Sequence, residues 1–228
     1  MAHRRAQALL LALAVVGLGA DLATKYGVFR WLYNDRQPIR DDRFESWMTA
    51  ERWTKDGPQF IAGGRYDVLP GWFGLIAEYK VDTATNDWRK SLQSYSAPLL
   101  PRVNEGALFG LGGEYGREAN ATYAAVSGLA ALGILIWVFW PGRQIAWWVA
   151  VALGLILGGT LGNFYDRVVF FGVRDFLYFY IIDWPVFNVA DCSLVCGASM
   201  LVLHALFVKP PAPPPPPSAL PAPPPTPS

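Results

Sequence analysis

The sequence predicts an α-helical membrane protein, with four transmembrane helices and a small extracytoplasmic β-containing region. Two observations carry this. The 228 residues are 53% hydrophobic and only 16% charged, against about 25% charged in an ordinary soluble domain. The charge is also segregated. Of 37 Asp, Glu, Lys and Arg residues, 21 lie between Arg30 and Arg102, leaving long uncharged runs on both sides. Other classes drop out on composition. Aromatic residues make up 14%, too many for a chain disordered throughout. The net charge of +1 gives no field that would gather nucleic acid. Two cysteines cannot build a disulfide framework or a four-ligand zinc site.

Each element follows from length. A hydrocarbon core of about 30 Å takes about 20 apolar residues as helix. Ala6 to Ala20 is apolar except for Gln7 and continues through Asp21 and Lys25, which predicts a helix near 5–25. His3, Arg4 and Arg5, the apolar run and Leu18-Gly19-Ala20 also resemble a cleavable signal peptide. Uncharged runs from Ala119 to Pro141, Gln144 to Tyr165 and Cys192 to Val208 predict helices near 119–140, 144–164 and 188–208. These make a membrane core within 1–209. The segment 30–102 mixes both charge signs with Trp, Tyr, Gly and Pro and reads as an extended extracytoplasmic insert, with strands expected from Phe60 to Phe109. From Pro210 to Ser228 there are 12 prolines in 19 residues, which predicts an extended, unfolded tail. Arg4, Arg5, Arg143 and Lys209 alternate along the spans so as to put both termini in the cytoplasm.

The polar residues gather at the other ends of the helices. Ionisable groups at bilayer depth cost several kcal/mol and tend to be functional. Asp21 and Lys25 stand i, i+4 with the acid first, the favourable order for a helical ion pair; a plain paired charge at the end of a span is the bland alternative. Asn163, Asp166 and Arg167 close the third span. Gly154, Gly158 and Gly162 form a small-residue ridge there that permits close helix contact. Asp175 lies among Phe176, Tyr178, Phe179 and Tyr180 and should be partly desolvated. Asn188 and Asp191 open the fourth span, Asn188 also as an N-cap with a first-turn acid. Asn104 occupies a Gly-flanked turn. Cys192 and Cys196 read as small packing groups, and His204 is misplaced to serve either as a base.

This inventory has no metal-ligating pattern, no Ser/His or Cys/His arrangement and no phosphate loop. It leaves carboxylates with Asn and Arg. Two carboxyls held together share one proton, so one acts as base and the other as acid near neutral pH. The base activates a water against a carbonyl, and the acid stabilises the oxyanion and protonates the leaving amine. That is peptide hydrolysis without cofactor or metal.

The motifs Asp21-Leu-Ala-Thr-Lys25, Asn104-x-Gly-Ala-x-Phe-Gly110, Gly159-x-x-Gly-Asn-x-x-Asp-Arg167, Val173-x-Asp175-Phe176 and Phe187-Asn-x-Ala-Asp191 stand in the order found in lipoprotein signal peptidases, the type II signal peptidases of bacteria. The chain resembles that family over most of its length outside 34–100 and the tail. The resemblance implies an aspartic endopeptidase of the bacterial inner membrane, working at its outer surface. It would cut diacylglyceryl-modified prolipoproteins before the lipidated cysteine. It implies Asp175 and Asp191 as the catalytic pair, with Asp21, Lys25, Asn104, Asn163, Arg167 and Asn188 binding substrate or supporting the site. Asn163 and Asn188 would orient the aspartates and Arg167 would hold a substrate carbonyl. Asp166 reads as structural. Asp183 rivals Asp175, and the Val-x-Asp-Phe match decides for Asp175. The expected partners are prolipoprotein substrates and membrane lipids, with no nucleic acid, and the expected state is a monomer. Three departures stand out: Arg174 where the family has an apolar residue, the long stretch from Lys25 to Asn104, and the proline tail. The alternatives are a proton- or ion-coupled transporter, which should carry polar groups through the midplane, and a noncatalytic scaffold.

Overall fold

The computed structural model describes residues 2–34, 60–80, 87–106, 116–182 and 184–207. The expectations for residues 35–59 and 81–86 of the insert, for Ala107 to Gly110, for Asp183 and for the proline tail lie outside these residues. The elements are α1 (Ala2–Asn34), β1 (Phe60–Leu69), β2 (Phe73–Lys80), α2 (Arg89–Ser96), β3 (Leu100–Pro101), α3 (Gly116–Phe139), α4 (Trp147–Val169), β4 (Leu177–Phe179) and α5 (Val189–Phe207). Four of the helices, α1, α3, α4 and α5, are long and apolar enough to cross a membrane.

Helix α4 is the hub and touches the other three spans. Its glycines set how close they come. A Cβ on Gly154 would sit 2.9 Å from the Leu10 carbonyl oxygen, and one on Gly158 would sit 2.9 Å from that of Ala14. The predicted ridge therefore faces α1, whose backbone lies directly on it. A second pair, Gly159 and Gly197, does the same between α4 and α5: a Cβ on Gly197 would lie 2.6 Å from the Ala152 carbonyl oxygen. These pairings run α1 parallel to α4 and α5 antiparallel to it. Helix α3 is antiparallel as well, since Asn120 meets Arg167 and Gln7 of α1 donates to the Val138 carbonyl at 3.1 Å. One end of the bundle thus gathers the starts of α1 and α4 with the ends of α3 and α5. The opposite end carries the sheet and the polar residues.

Helix α1 runs nine residues past its predicted end, to Asn34. Its buried positions form one continuous stripe: Ala6, Leu10, Ala14, Asp21, Lys25, Phe29 and Leu32. At 1.5 Å per residue the helix is about 50 Å long, well beyond a bilayer core. The extra turns are held by tertiary packing. Phe29 and Leu32 bury against Ala77, Tyr79, Ala97 and Phe176, and the Tyr79 hydroxyl donates to the Phe29 carbonyl. Residues 30–34, expected in the insert, belong to this helix.

The sheet is antiparallel, in the order β1-β2-β3, with β4 also paired to β2. The hairpin turn Leu69-Pro70-Gly71-Trp72 closes by a Trp72 N–H to Leu69 carbonyl bond of 2.9 Å, with Gly71 at φ +76°. Proline followed by a left-handed glycine is what a type II turn requires. Strand β4 was not expected. It comes from the loop between α4 and α5, so the sheet stitches the insert to the segment carrying Asp175. Cys192 and Cys196 are exposed on the outer side of α5 rather than packed in the bundle, because α5 turns Gly197 and Ala190 toward α4. His204 stacks on Trp148 at the far end.

Candidate active site

The candidate site sits where α1, α4, α5 and two loops meet. It is built outward from the start of α5. Asn188 precedes the helix, and its Oδ1 accepts the Asp191 N–H at 3.0 Å. The Asp191 carboxylate reaches back, Oδ2 accepting the Asn188 N–H at 3.1 Å. This reciprocal pair is a capping box, with Asn and Asp in place of the usual residues. The next orphan donor, the Ala190 N–H, is satisfied from another helix by Asp21 Oδ1 at 2.9 Å. Asp21 is fully buried, and its depth is explained by that helix terminus and by Lys25, 2.8 Å away.

Asp175 arrives from the other direction. After α4 the chain turns at Phe171, a non-glycine residue at φ +61°. Val173 then pairs with Asn104 through two backbone bonds of 2.8 and 2.9 Å. This fixes Asn104 beside Asp175, and its Nδ2 donates to Asp175 Oδ2 at 3.1 Å. Asn104 Oδ1 is occupied by the Gly106 N–H at 3.0 Å, so the amide is held at both ends. On the far side, Phe176 and Leu177 donate to the Phe187 carbonyl, which brings Asn188 alongside. Asn188 Nδ2 donates to Asp175 Oδ1 at 2.6 Å. One residue therefore grips both carboxyl groups: Asp191 with its backbone N–H, Asp175 with its side-chain N–H.

Asn163, one α4 turn above Gly159, completes the floor. Its Nδ2 donates to Asp191 Oδ1 at 2.9 Å, and its Oδ1 accepts from Lys25 Nζ at 3.0 Å and Asn188 Nδ2 at 3.2 Å. Arg167, a turn further on, is committed to protein oxygens. It donates to the Gly106 carbonyl at 2.8 Å and to Asn120 Oδ1 at 3.3 Å. These bonds tie it to the loop that carries Asn104 and to the start of α3. Asn120 returns a bond to the Arg167 carbonyl at 3.0 Å. It is buried and was missed in the sequence, where an amide inside an uncharged span was the available signal.

Behind this layer lies a buried ion chain. Lys25 contacts Asp21 at 2.8 Å and Asp166 at 3.4 Å, and Asp166 pairs with Arg174 at 2.7 Å. All four side chains have no exposure. Arg174 also donates to Ser96 Oγ at 3.2 Å and lies between the rings of Tyr26 and Phe170, 4.2 and 3.8 Å from their centres. Its backbone N–H donates to Asp166 Oδ2 at 2.9 Å. The Arg174 guanidinium, a departure from the family pattern next to Asp175, is spent on Asp166.

Enclosure by the protein, and then the charge of Asp191, push Asp175 up from 3.8 to about 7; Lys25 and the amides of Asn104 and Asn188 oppose this. Desolvation and like charge both favour the neutral acid. A carboxyl able to hold a proton in the neutral range, beside a second carboxylate and four amide-type donors, is equipped for acid–base chemistry on a bound carbonyl.

The chain is similar to known proteins in sequence and in fold. The profile of the family described as signal peptidase (SPase) II matches residues 74–207. A protein named lipoprotein signal peptidase from Rhodopirellula baltica is 32% identical over 212 residues, covering 87% of this chain and 71% of its own. Another of that name from Aquifex aeolicus is 38% identical over 144 residues, 59% of this chain and 84% of its own. Among solved structures, a bacterial membrane enzyme determined by the in meso method at 2.3 Å shares the fold at 20% identity, with a TM-score of 0.52 over 86% of this chain and 87% of that one. The chain belongs to the signal peptidase II family and is a membrane-spanning aspartic endopeptidase.

Proposed function

We propose that the chain removes the signal peptide from diacylglyceryl-modified prolipoproteins, cutting before the lipidated cysteine, with Asp175 and Asp191 sharing one water. The observation that carries this reading is the double grip of Asn188 on both carboxyls. Asp175 holds the proton common to the pair. Asp191 accepts a proton from the water as its oxygen attacks the scissile carbonyl carbon. Asp175 donates to the carbonyl oxygen as negative charge develops there. When the tetrahedral intermediate collapses, the C–N bond breaks, the proton on Asp191 passes to the leaving amine, and a hydroxyl proton of the intermediate returns to Asp175 as the new carbonyl forms. Asn104, Asn163 and Asn188 keep the carboxyls facing the reaction, and Asp21, Lys25 and Arg167 hold those amides and their loops in place.

The enzyme acts as a monomer among lipids in the bacterial inner membrane, with its termini in the cytoplasm and the site at the outer surface. One feature supports that orientation. Arg4, Arg5 and Arg143 lie at the end opposite the site, as positively charged flanks on the cytoplasmic side should. The test is cleavage of a synthetic prolipopeptide bearing a diacylglyceryl cysteine. Asp175→Asn and Asp191→Asn should each abolish product while the protein still folds. Normal processing by either variant refutes the pair.

A further inference from the structure

An asparagine side chain has one face that donates and one that accepts, alike in size. Rotation by half a turn exchanges them at little steric cost. For Asn163 the choice matters, because its amide faces Asp191: one orientation offers an N–H to the carboxylate and the other offers a carbonyl oxygen. Nothing in the covalent structure of Asn163 decides between them.

The decision lies on the opposite side of the amide. Lys25 Nζ stands 3.0 Å from Asn163 Oδ1. An ammonium has only donors, so that contact is satisfied by oxygen alone. Asn188 Nδ2, at 3.2 Å, is a second donor on the same oxygen. Lys25 is itself pinned between Asp21 and Asp166, without exposure, so it cannot swing to water. Arg174 neutralises Asp166 from the other side, which leaves Lys25 free to keep its third contact with Asn163.

We infer that Lys25 is a positioning residue for the acid pair: its ammonium locks the Asn163 amide so that Nδ2 faces Asp191. Lys25 touches no reacting atom. It acts through Asn163, and the buried chain Asp21, Lys25, Asp166 and Arg174 exists to hold it in register. The inference rests on the acid-pair reading proposed above.

The test uses the full chain in detergent and a diacylglyceryl-cysteine prolipopeptide. Lys25→Met alone would strand two buried acids, so it is made in an Asp21→Asn background. An amide at position 21 still accepts the Ala190 N–H, and the Asp166–Arg174 pair remains balanced. Adding Lys25→Met to Asp21→Asn should lower kcat about 100-fold, the scale of a misplaced catalytic group. KM should stay within about twofold and the melting temperature should not move, since uniform binding is untouched. Lys25→Arg, which keeps a cationic donor, should recover most of the loss. The same Lys25→Met change added to Asp21→Asn/Asn163→Ala should alter kcat less than about threefold, because the residue it acts through is gone. An equal loss in both backgrounds, a rise in KM with kcat unchanged, or a loss that follows melting temperature overturns the inference. If instead Asp175→Asn and Asp191→Asn cleave normally, the acid-pair reading fails first, and the two failures are told apart.

Discussion

The seam between α1 and α4 has two halves that share a geometry and differ in chemistry. In the lower half Leu10 and Ala14 rest on Gly154 and Gly158. In the upper half the Asp21 carboxylate rests on Gly162, four residues further along α4 and seven along α1, and Lys25 and Asn163 follow. Both halves are buried. Below, close backbone approach and dispersion hold the helices, and any small apolar residue serves. Above, every atom must meet a partner, because an unpaired buried charge costs several kcal/mol. The comparison teaches that one packing device, glycine against a neighbouring helix, can seat either an apolar contact or an acid at membrane depth.

The largest effect should come from the two acids that the upper half supports. Asp175→Asn or Asp191→Asn should lower kcat by at least about 10³-fold, as loss of a general acid or base does. Prolipopeptide cleavage measures it, and melting should show the variants folded. Next, Asp166→Ala leaves Lys25 and Arg174 buried without their shared acid. It should cost about 3–5 kcal/mol of stability, read as lower yield and melting temperature in detergent. A stable, inactive Asp166→Ala protein would instead place Asp166 in the chemistry.

Glycine substitutions divide the two halves most directly. Gly154→Ala and Gly162→Ala should each cost about 1–3 kcal/mol through overpacking. The added methyl at position 162 meets the Asp21 carboxylate, whereas at position 154 it meets only the Leu10 carbonyl and the Leu13 side chain. Residual kcat should therefore fall for Gly162→Ala and hold for Gly154→Ala. Equal kcat in the two would erase the distinction between the halves.

The last effect is one of pH and leaves every contact in place. The Asp175 carboxyl, ordinarily near 3.8, is raised to about 7 in the fold. Between those values the folded protein keeps a proton that the unfolded chain has lost, so stability falls as pH rises through this window. Asp175→Asn removes that fall. Its melting temperature relative to the parent should climb from pH 4 to pH 7 and then level, by about 2–4 °C for each kcal/mol. Parallel melting curves would show that the fold does not strain this carboxyl.

Much of the architecture was legible in the sequence, and for a physical reason. A span must be about 20 uncharged residues long in any context, so composition alone gives four of them. Helical spacing also brings Asn163 and Arg167, or Asp21 and Lys25, onto one face without knowledge of the fold. What composition could not show was the continuation of α1 to Asn34, which depends on Tyr79, Phe176 and Ala97 standing ready to cover Phe29 and Leu32. Strand β4 was hidden likewise: three residues pair only because β2 presents an edge more than a hundred positions earlier. The partners of Arg167 and Arg174 were hidden for a related reason. A guanidinium in sequence shows a charge, and only the fold shows which oxygens lie within its reach.

The sequence by itself determined the number of spans, the end at which the polar residues would collect, and the residue types available for chemistry, since these follow from hydropathy and helical period. The tertiary structure alone decided who holds whom. Asn188 bridges Asp175 and Asp191, Asp21 caps a helix 169 residues away, and Lys25 rather than Arg174 faces Asn163. Hydrogen bonds reach about 3 Å and depend on angle. Partnerships of that kind are set by where helices cross, which no local pattern encodes.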